Sequence, residues 1–234
     1  MNDLIKIQNL SKNYHTPSGE INALNNINLS IKKGEIIGIV GPSGCGKSTL
    51  LNILSELEKP TKGTIIKDTT NIAYMLQSDA LLPWLNVLDN SLLGLKITKK
   101  LNHENTEYVK KLITKFDLDK FINKYPNNLS GGMKQRVALI RTLALKPDII
   151  LLDEPTVGLD IEERVRLKEM LEELRGRQPI IISSHIAEDI EATCQQVIVL
   201  QKKHIIFAGE IEYLSSLATG HVWKMPEEIY RRQR

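Results

Sequence analysis

Ile36-Ile37-Gly38-Ile39-Val40 is an unbroken apolar run that leads directly into Gly41-Pro42-Ser43-Gly44-Cys45-Gly46-Lys47-Ser48, after which Leu50, Leu51, Leu54 and Leu57 recur at helical spacing. A continuous apolar run predicts a strand covered on both faces, the mark of a central strand in a parallel sheet. The leucine spacing predicts a helix over Ser48–Leu57. The segment between them matches G-x-x-x-x-G-K-[ST], and strand, glycine turn and helix in that order is the setting a phosphate loop requires. Its glycines let successive backbone N–H groups turn inward around phosphate oxygens, and the helix start adds unpaired donors and its dipole. Lys47 supplies a point charge for the β- and γ-phosphates, and the Ser48 hydroxyl can ligate Mg2+.

Composition says where such chemistry has to reside. The 234 residues are 41% hydrophobic and 25% charged, an ordinary globular balance that excludes disordered, collagen-like and disulfide-scaffold chains. The 31 basic and 28 acidic residues leave a net charge of +3 with both signs interspersed, so no nucleic-acid footprint is expected and phosphate binding must be local. No apolar stretch approaches the roughly 18 residues of a membrane span. The amino end lacks the pattern of a signal peptide, so a cytoplasmic location is expected. Cys45 and Cys194 fit no metal-ligand spacing and are expected to be reduced thiols.

Ile5, Ile7 and Leu10, then Ile27, Leu29 and Ile31, alternate with polar residues and predict half-buried antiparallel strands. Further along, Asp148–Leu152 reads as a buried strand, Ile161–Leu174 as a helix, Pro179–Ser183 as a strand and Ala187–Thr193 as a helix, which are βαβ units. Between about Leu81 and Leu145 only helical patterns occur, over Asn105–Phe116 and Met133–Leu145, so a helical insertion is expected to interrupt the sheet.

Ile149–Leu152 ends abruptly in Asp153 and Glu154. Beside a phosphate loop, Asp153 suits an Mg2+ partner and Glu154 the orientation or deprotonation of an attacking water. Ser130-Gly131-Gly132 is a second small-residue turn opening a helix, with Ser130 as its expected N-cap.

With these segments in this order, the chain resembles the ATP-binding subunits of ABC transporters over nearly its whole length. The resemblance rests on Gly41–Thr49 as Walker A, Gln77 as the Q-loop, Leu129–Gln135 as the signature, Ile149–Glu154 as Walker B, Gly158-Leu159-Asp160 as the D-loop and His185 as the switch histidine. Met133 stands where many members carry Gln, a familiar variant of the signature. The fold implied is a P-loop NTPase α/β core with a mostly parallel sheet, an N-terminal antiparallel β subdomain and an inserted α-helical subdomain. In this chain that means a single domain with core at 1–80 and 146–220, helical subdomain at about 81–145 and a polar tail at 221–234. The family further implies that Tyr14 stacks on adenine, that Gln77 touches both Mg2+ and the attacking water, and that His185 hydrogen-bonds the γ-phosphate. It implies that Ser130, Gly131 and Gly132 contact the nucleotide held by the opposite subunit. Partners implied are a second copy or related ATPase subunit, integral membrane transporter subunits and, for an importer, a solute-binding protein. The chain would then sit on the cytoplasmic face of the cell membrane.

Tyr74–Asn90 and Ser130–Leu145 look like the nitrate, sulfonate and taurine importer group. Pro155–Asp160, Ser183–Glu191 and Gly220–Trp223 look more like ATPases of ABC-2-type exporters. Because the front half holds the regions that meet membrane subunits in this family, import is the favoured expectation, with an ABC-2-type exporter ATPase as the alternative. Soluble ABC ATPases acting on ribosomes or DNA usually carry paired domains or long coiled coils, which fit this chain less well. Residues Gly63–Tyr74 are short for the family and are expected to trim a hairpin or loop.

Overall fold

The computed structural model describes residues 3–17 and 19–217. In chain order the elements are β1 (Asp3–Thr16), β2 (Gly19–Lys32), β3 (Ile36–Val40), α1 (Lys47–Leu54), β4 (Lys62–Lys67), β5 (Ile72–Met75), α2 (Val87–Ile97), α3 (His103–Lys115), α4 (Gly131–Leu143), β6 (Ile149–Asp153), α5 (Ile161–Leu174), β7 (Ile180–Ser184), α6 (Ala187–Glu191), β8 (Gln196–Gln201), β9 (His204–Glu210) and α7 (Ile211–Leu217). A six-stranded sheet in the order β5-β6-β7-β3-β8-β9 is parallel except for β9, and a three-stranded antiparallel sheet has the order β2-β1-β4.

The apolar run of β3 is explained by its place. Ile36 and Val40 face the core shared with the helical insertion, while Ile37 and Ile39 face the core shared with α1 and the antiparallel sheet. The period-two alternation of a strand therefore sends every side chain into apolar surroundings, each buried isoleucine contributing about 1.5–3 kcal/mol. Gly38 lies where β3 meets α6; a Cβ there would stand 2.2 Å from Ile190 Cγ2.

The broken alternation of Ile5, Ile7 and Leu10 has a local cause. Asn9 adopts φ 51°, its N–H donates to Asn28 Oδ1 at 2.9 Å, and the β1–β2 register shifts between Ile7 and Leu10. This bulge turns Leu10 inward where Asn9 would otherwise point. The expected helix over Ser48–Leu57 is shorter than its leucine pattern. It ends at Leu54, whose carbonyl accepts from Lys67 Nζ at 3.1 Å, and Glu56 turns through φ 65°, leaving Leu57 65% exposed. Helix α2, for which the sequence offered no clear stripe, is organised around the fully buried Asn90. Its amide donates to Leu82 O, Leu85 O and Asn86 O and accepts from Leu82 N–H. Residues 63–74 hold β4 and β5 joined by a tight connection, so the antiparallel sheet passes directly into the parallel one. The expected tail at 221–234 and the exporter-like residues 220–223 lie outside the described residues.

Candidate active site

β3 delivers the chain into the Gly41–Gly46 turn at the carboxyl end of the parallel strands. Two glycines there are required by space and conformation. A Cβ on Gly41 would sit 2.2 Å from the Leu200 carbonyl oxygen, and Gly46, at φ 113°, would place one 2.6 Å from Ala23 O. Pro42, Ser43 and Gly44 form an open rim, Cys45 is buried beneath it, and Ser48 is exposed in the first turn of α1. No side chain caps α1 and no acidic residue lies in its first turn, whereas α2 to α5 are capped by Asn86, Asn102, Ser130 and Asp160. The first N–H groups of α1 thus remain available to an anion.

Lys47 is folded back into this turn. Its ammonium donates to Gly41 O at 2.9 Å and pairs with Glu154 Oε1 at 3.1 Å, the two side chains being 6% and 8% exposed. Glu154 reaches it because the chain turns sharply at the end of β6: Glu154 has φ 50°, and its N–H donates to Ser183 Oγ at 2.9 Å. The second carboxylate oxygen, Oε2, is hydrogen-bonded to His185 Nδ1. Asp153 is oriented from both sides, accepting from Ser183 Oγ at 2.5 Å and from the Tyr74 hydroxyl at 3.2 Å. Burial, and then the Asp153 charge, push the Tyr74 phenol far above its ordinary range, so it stays a proton donor at any working pH. Lys47, Asp153, Glu154 and His185, three separate stretches of sequence, therefore converge at one end of the sheet.

Tyr14 stands close by. Its hydroxyl donates to Glu58 Oε2 at 2.5 Å, the Thr49 hydroxyl lies against its phenol, and Lys12 Nζ sits 4.9 Å from its ring centroid. Burial and the Glu58 carboxylate raise its pKa. Gln77 follows β5 and is exposed; among the described residues no hydrogen bond joins its side chain to Asp153 or Glu154. Its carbonyl instead accepts from Gln135 Nε2 of α4 at 3.5 Å, and the chain just after it is held from the same helix, where Arg141 donates to Asp79 O at 2.7 Å and Ala80 O at 2.8 Å.

Ser130, Gly131 and Gly132 form a separate face. Ser130 caps α4, its Oγ accepting from Met133 N–H at 3.2 Å as its position suggested. No hydrogen bond among the described residues joins this turn to Lys47 or Glu154. Sequence reasoning missed Tyr74, Ser183 and Arg141 as site residues. Ser183 acquires its place from the pairing of Asp153 with Ser183 across β6 and β7, a register that no local pattern announces.

Among the described residues no three or more His, Cys, Asp or Glu gather as a metal cluster, and no helix is long and apolar enough to cross a membrane. Both cysteines are free and buried.

The model of the ABC transporter family matches residues 24–157. A probable sulfate/thiosulfate import ATP-binding protein of Chlorella vulgaris is 38% identical over 228 residues, covering 92% of this chain and 95% of that protein. An aliphatic sulfonates import ATP-binding protein of Zymomonas mobilis is 38% identical over 217 residues, covering 88% and 86%. Among solved structures, a dimeric post-hydrolysis ATP-binding cassette bound to ADP and Pi superposes with a TM-score of 0.80 at 32% identity, over 88% of this chain and 98% of that one.

Proposed function

The chain belongs to the ABC transporter family as an ATP-binding, ATP-hydrolysing subunit, and from that premise we propose that it drives an importer of the nitrate, sulfonate and taurine type. The observation that carries the catalytic reading is the buried contact of Lys47 with Glu154 at the mouth of an uncapped phosphate loop, with Asp153 alongside. An ammonium that already binds a carboxylate there is placed to bind phosphate oxygens instead.

In this reading the N–H groups of Gly41–Thr49 and the Lys47 ammonium hold the phosphates, and the Tyr14 ring stacks on adenine. Asp153, the Ser48 hydroxyl and Gln77 are hard oxygen donors that suit Mg2+. Too few to enclose the ion, they leave room for phosphate oxygens and water. Bound Mg2+ neutralises charge on the phosphates. Once Lys47 has turned to the nucleotide, Glu154 is free to accept a proton from the attacking water. His185, released from Glu154, can donate to the γ-phosphate. Ser130, Gly131 and Gly132 serve the nucleotide of a partner subunit, so two head-to-tail copies or related subunits complete each site. Residues 81–145 act as one helical unit that passes closure to membrane subunits at the cytoplasmic face.

Import is supported by the names of the relatives and by the front half of the chain, where Trp84 is 69% exposed and available to a membrane subunit. The exporter-like residues Ser183 and Ser184 are buried, and Ser183 serves Asp153. They belong to the catalytic scaffold and carry little information about the partner. The test is twofold. Lys47→Ala should lose ATP binding, and retained turnover would refute the site. The membrane proteins that copurify should form an import complex whose ATPase activity is stimulated by a sulfonate, nitrate or related oxoanion, and copurification with an ABC-2-type permease would refute import.

A further inference from the structure

The signature turn is already occupied by a carboxylate of the same chain. Helix α5 opens with a capping box in which Asp160 receives the Glu163 N–H and the Glu163 side chain reaches back to the Asp160 N–H at 3.4 Å. That return places the carboxylate on the start of α4. Glu163 Oε1 accepts from Ser130 Oγ at 3.2 Å, and a Cβ on Gly132 would lie 1.8 Å from the same oxygen. Any side chain at 132 would expel Glu163, so the glycine makes room for an anion at this helix start, and the anion present is Glu163.

The Ser130 hydroxyl has a single proton. It accepts from Met133 N–H and gives that proton to Glu163. It cannot give the same proton to a phosphate, and a phosphate brought to the α4 start meets the Glu163 charge at contact distance. We propose that Glu163 is a positioning residue of the signature turn: it holds the Ser130 hydroxyl and the α4 start in the nucleotide-free chain and must be displaced by the partner's nucleotide before the dimer closes. This rests on the head-to-tail reading above.

The test compares Glu154→Gln with Glu154→Gln/Glu163→Gln, measuring the ATP-dependent dimer constant by sedimentation. Glutamine keeps the capping box, which accepts Glu or Gln, and removes only the charge. A carboxylate near a helix start is worth about two- to fivefold, and a symmetric dimer relieves two of them, so the dimer Kd should fall about four- to twenty-fivefold. The gain should shrink as salt rises. ATP affinity of the monomer should not change, because Glu163 makes no contact with Lys47. Glu163→Ala, which also removes the side chain, should tighten the dimer too. A dimer constant unchanged or weakened by Glu163→Gln would overturn the inference while leaving the sandwich intact. Absence of any ATP-dependent dimer in the Glu154→Gln parent would refute the head-to-tail reading, and this inference with it.

Discussion

Glu154→Gln is expected to do more than slow hydrolysis: it should destabilise the nucleotide-free chain and tighten ATP binding by the same free energy. Lys47 and Glu154 form an ion pair at 3.1 Å with both side chains more than nine-tenths buried. Removing one member of a buried pair costs about 3–5 kcal/mol, because the other charge is left without its counterion. Here the loss should be nearer 2 kcal/mol, since Gly41 O still accepts from Lys47 at 2.9 Å and the carboxamide keeps one oxygen toward it. For a domain of this size each kcal/mol moves the melting temperature by about 2–4 °C, so the nucleotide-free variant should melt about 4–8 °C lower. On the proposed site, wild-type protein must give up the Lys47–Glu154 pair to bind phosphate, whereas the variant gives up only the weaker carboxamide contact. By the thermodynamic cycle the ~2 kcal/mol returns as affinity, about thirtyfold for ATP. Differential scanning calorimetry and nucleotide titration in EDTA read both quantities without turnover. The double variant Lys47→Met/Glu154→Gln buries neither charge and should recover most of the lost stability. A Glu154→Gln protein that melts with wild type and binds ATP no tighter would refute the claim that the two residues are coupled.

Other consequences can be checked independently. Lys47→Ala and Ser130→Arg should each abolish ATPase activity, yet mixing them should restore part of it, because a mixed dimer contains one intact pair of half-sites; a mixture as inactive as its components would refute the shared site. Tyr74→Phe removes one of the two donors to Asp153 and should raise the Mg2+ concentration needed for half-maximal nucleotide binding about fivefold, the worth of ~1 kcal/mol; an unchanged Mg2+ titration would dismiss the positioning role. Burial pushes the Cys194 thiol from its ordinary value up to about 12. The folded state therefore keeps its proton where the unfolded chain loses it, so this contribution to stability is intact below pH ~9 and declines by up to about 1.4 kcal/mol per unit as pH rises toward 12. Urea unfolding at successive pH values should show that extra slope in wild type and not in Cys194→Ala.

What could be read from the sequence was whatever a local pattern encodes. The β3 run, the phosphate loop, the α5 boundaries and the Ser130 cap follow from apolar continuity, fixed glycines and capping chemistry, each confined to a few neighbouring residues. Helix α2 was obscured because its organising residue, Asn90, is polar and yet fully buried, its amide satisfied by three carbonyls. Leu57 misled for the opposite reason, continuing the leucine spacing past the point where Lys67 closes the helix end. Within the site, Lys47, Asp153, Glu154 and His185 were legible as chemistry, but their mutual engagement was not. Ser183 depends on strand register, and Glu163 depends on how α5 crosses the start of α4; both are tertiary facts.

The near-neutral composition also gains a physical meaning from these contacts. A chain of net charge +3 has no general field to gather ATP, and its two anion-ready helix starts would be poorly compensated if left bare. Each is answered by a carboxylate from the same chain: Glu154 on Lys47 beside α1, and Glu163 on Ser130 at the start of α4. In the function proposed above, binding nucleotide is an exchange of anions, in which phosphate replaces carboxylate. The two exchanges differ in consequence. In the proposed function, displacing Glu154 frees the residue that would accept the water's proton and lets His185 turn to phosphate, so the first exchange would arm the chemistry. On the head-to-tail proposal, displacing Glu163 frees only the Ser130 proton for the partner's nucleotide, so the second exchange would wait for a partner. On that proposal hydrolysis is conditional on assembly, and a solitary chain that has bound ATP is expected to keep its second carboxylate in place.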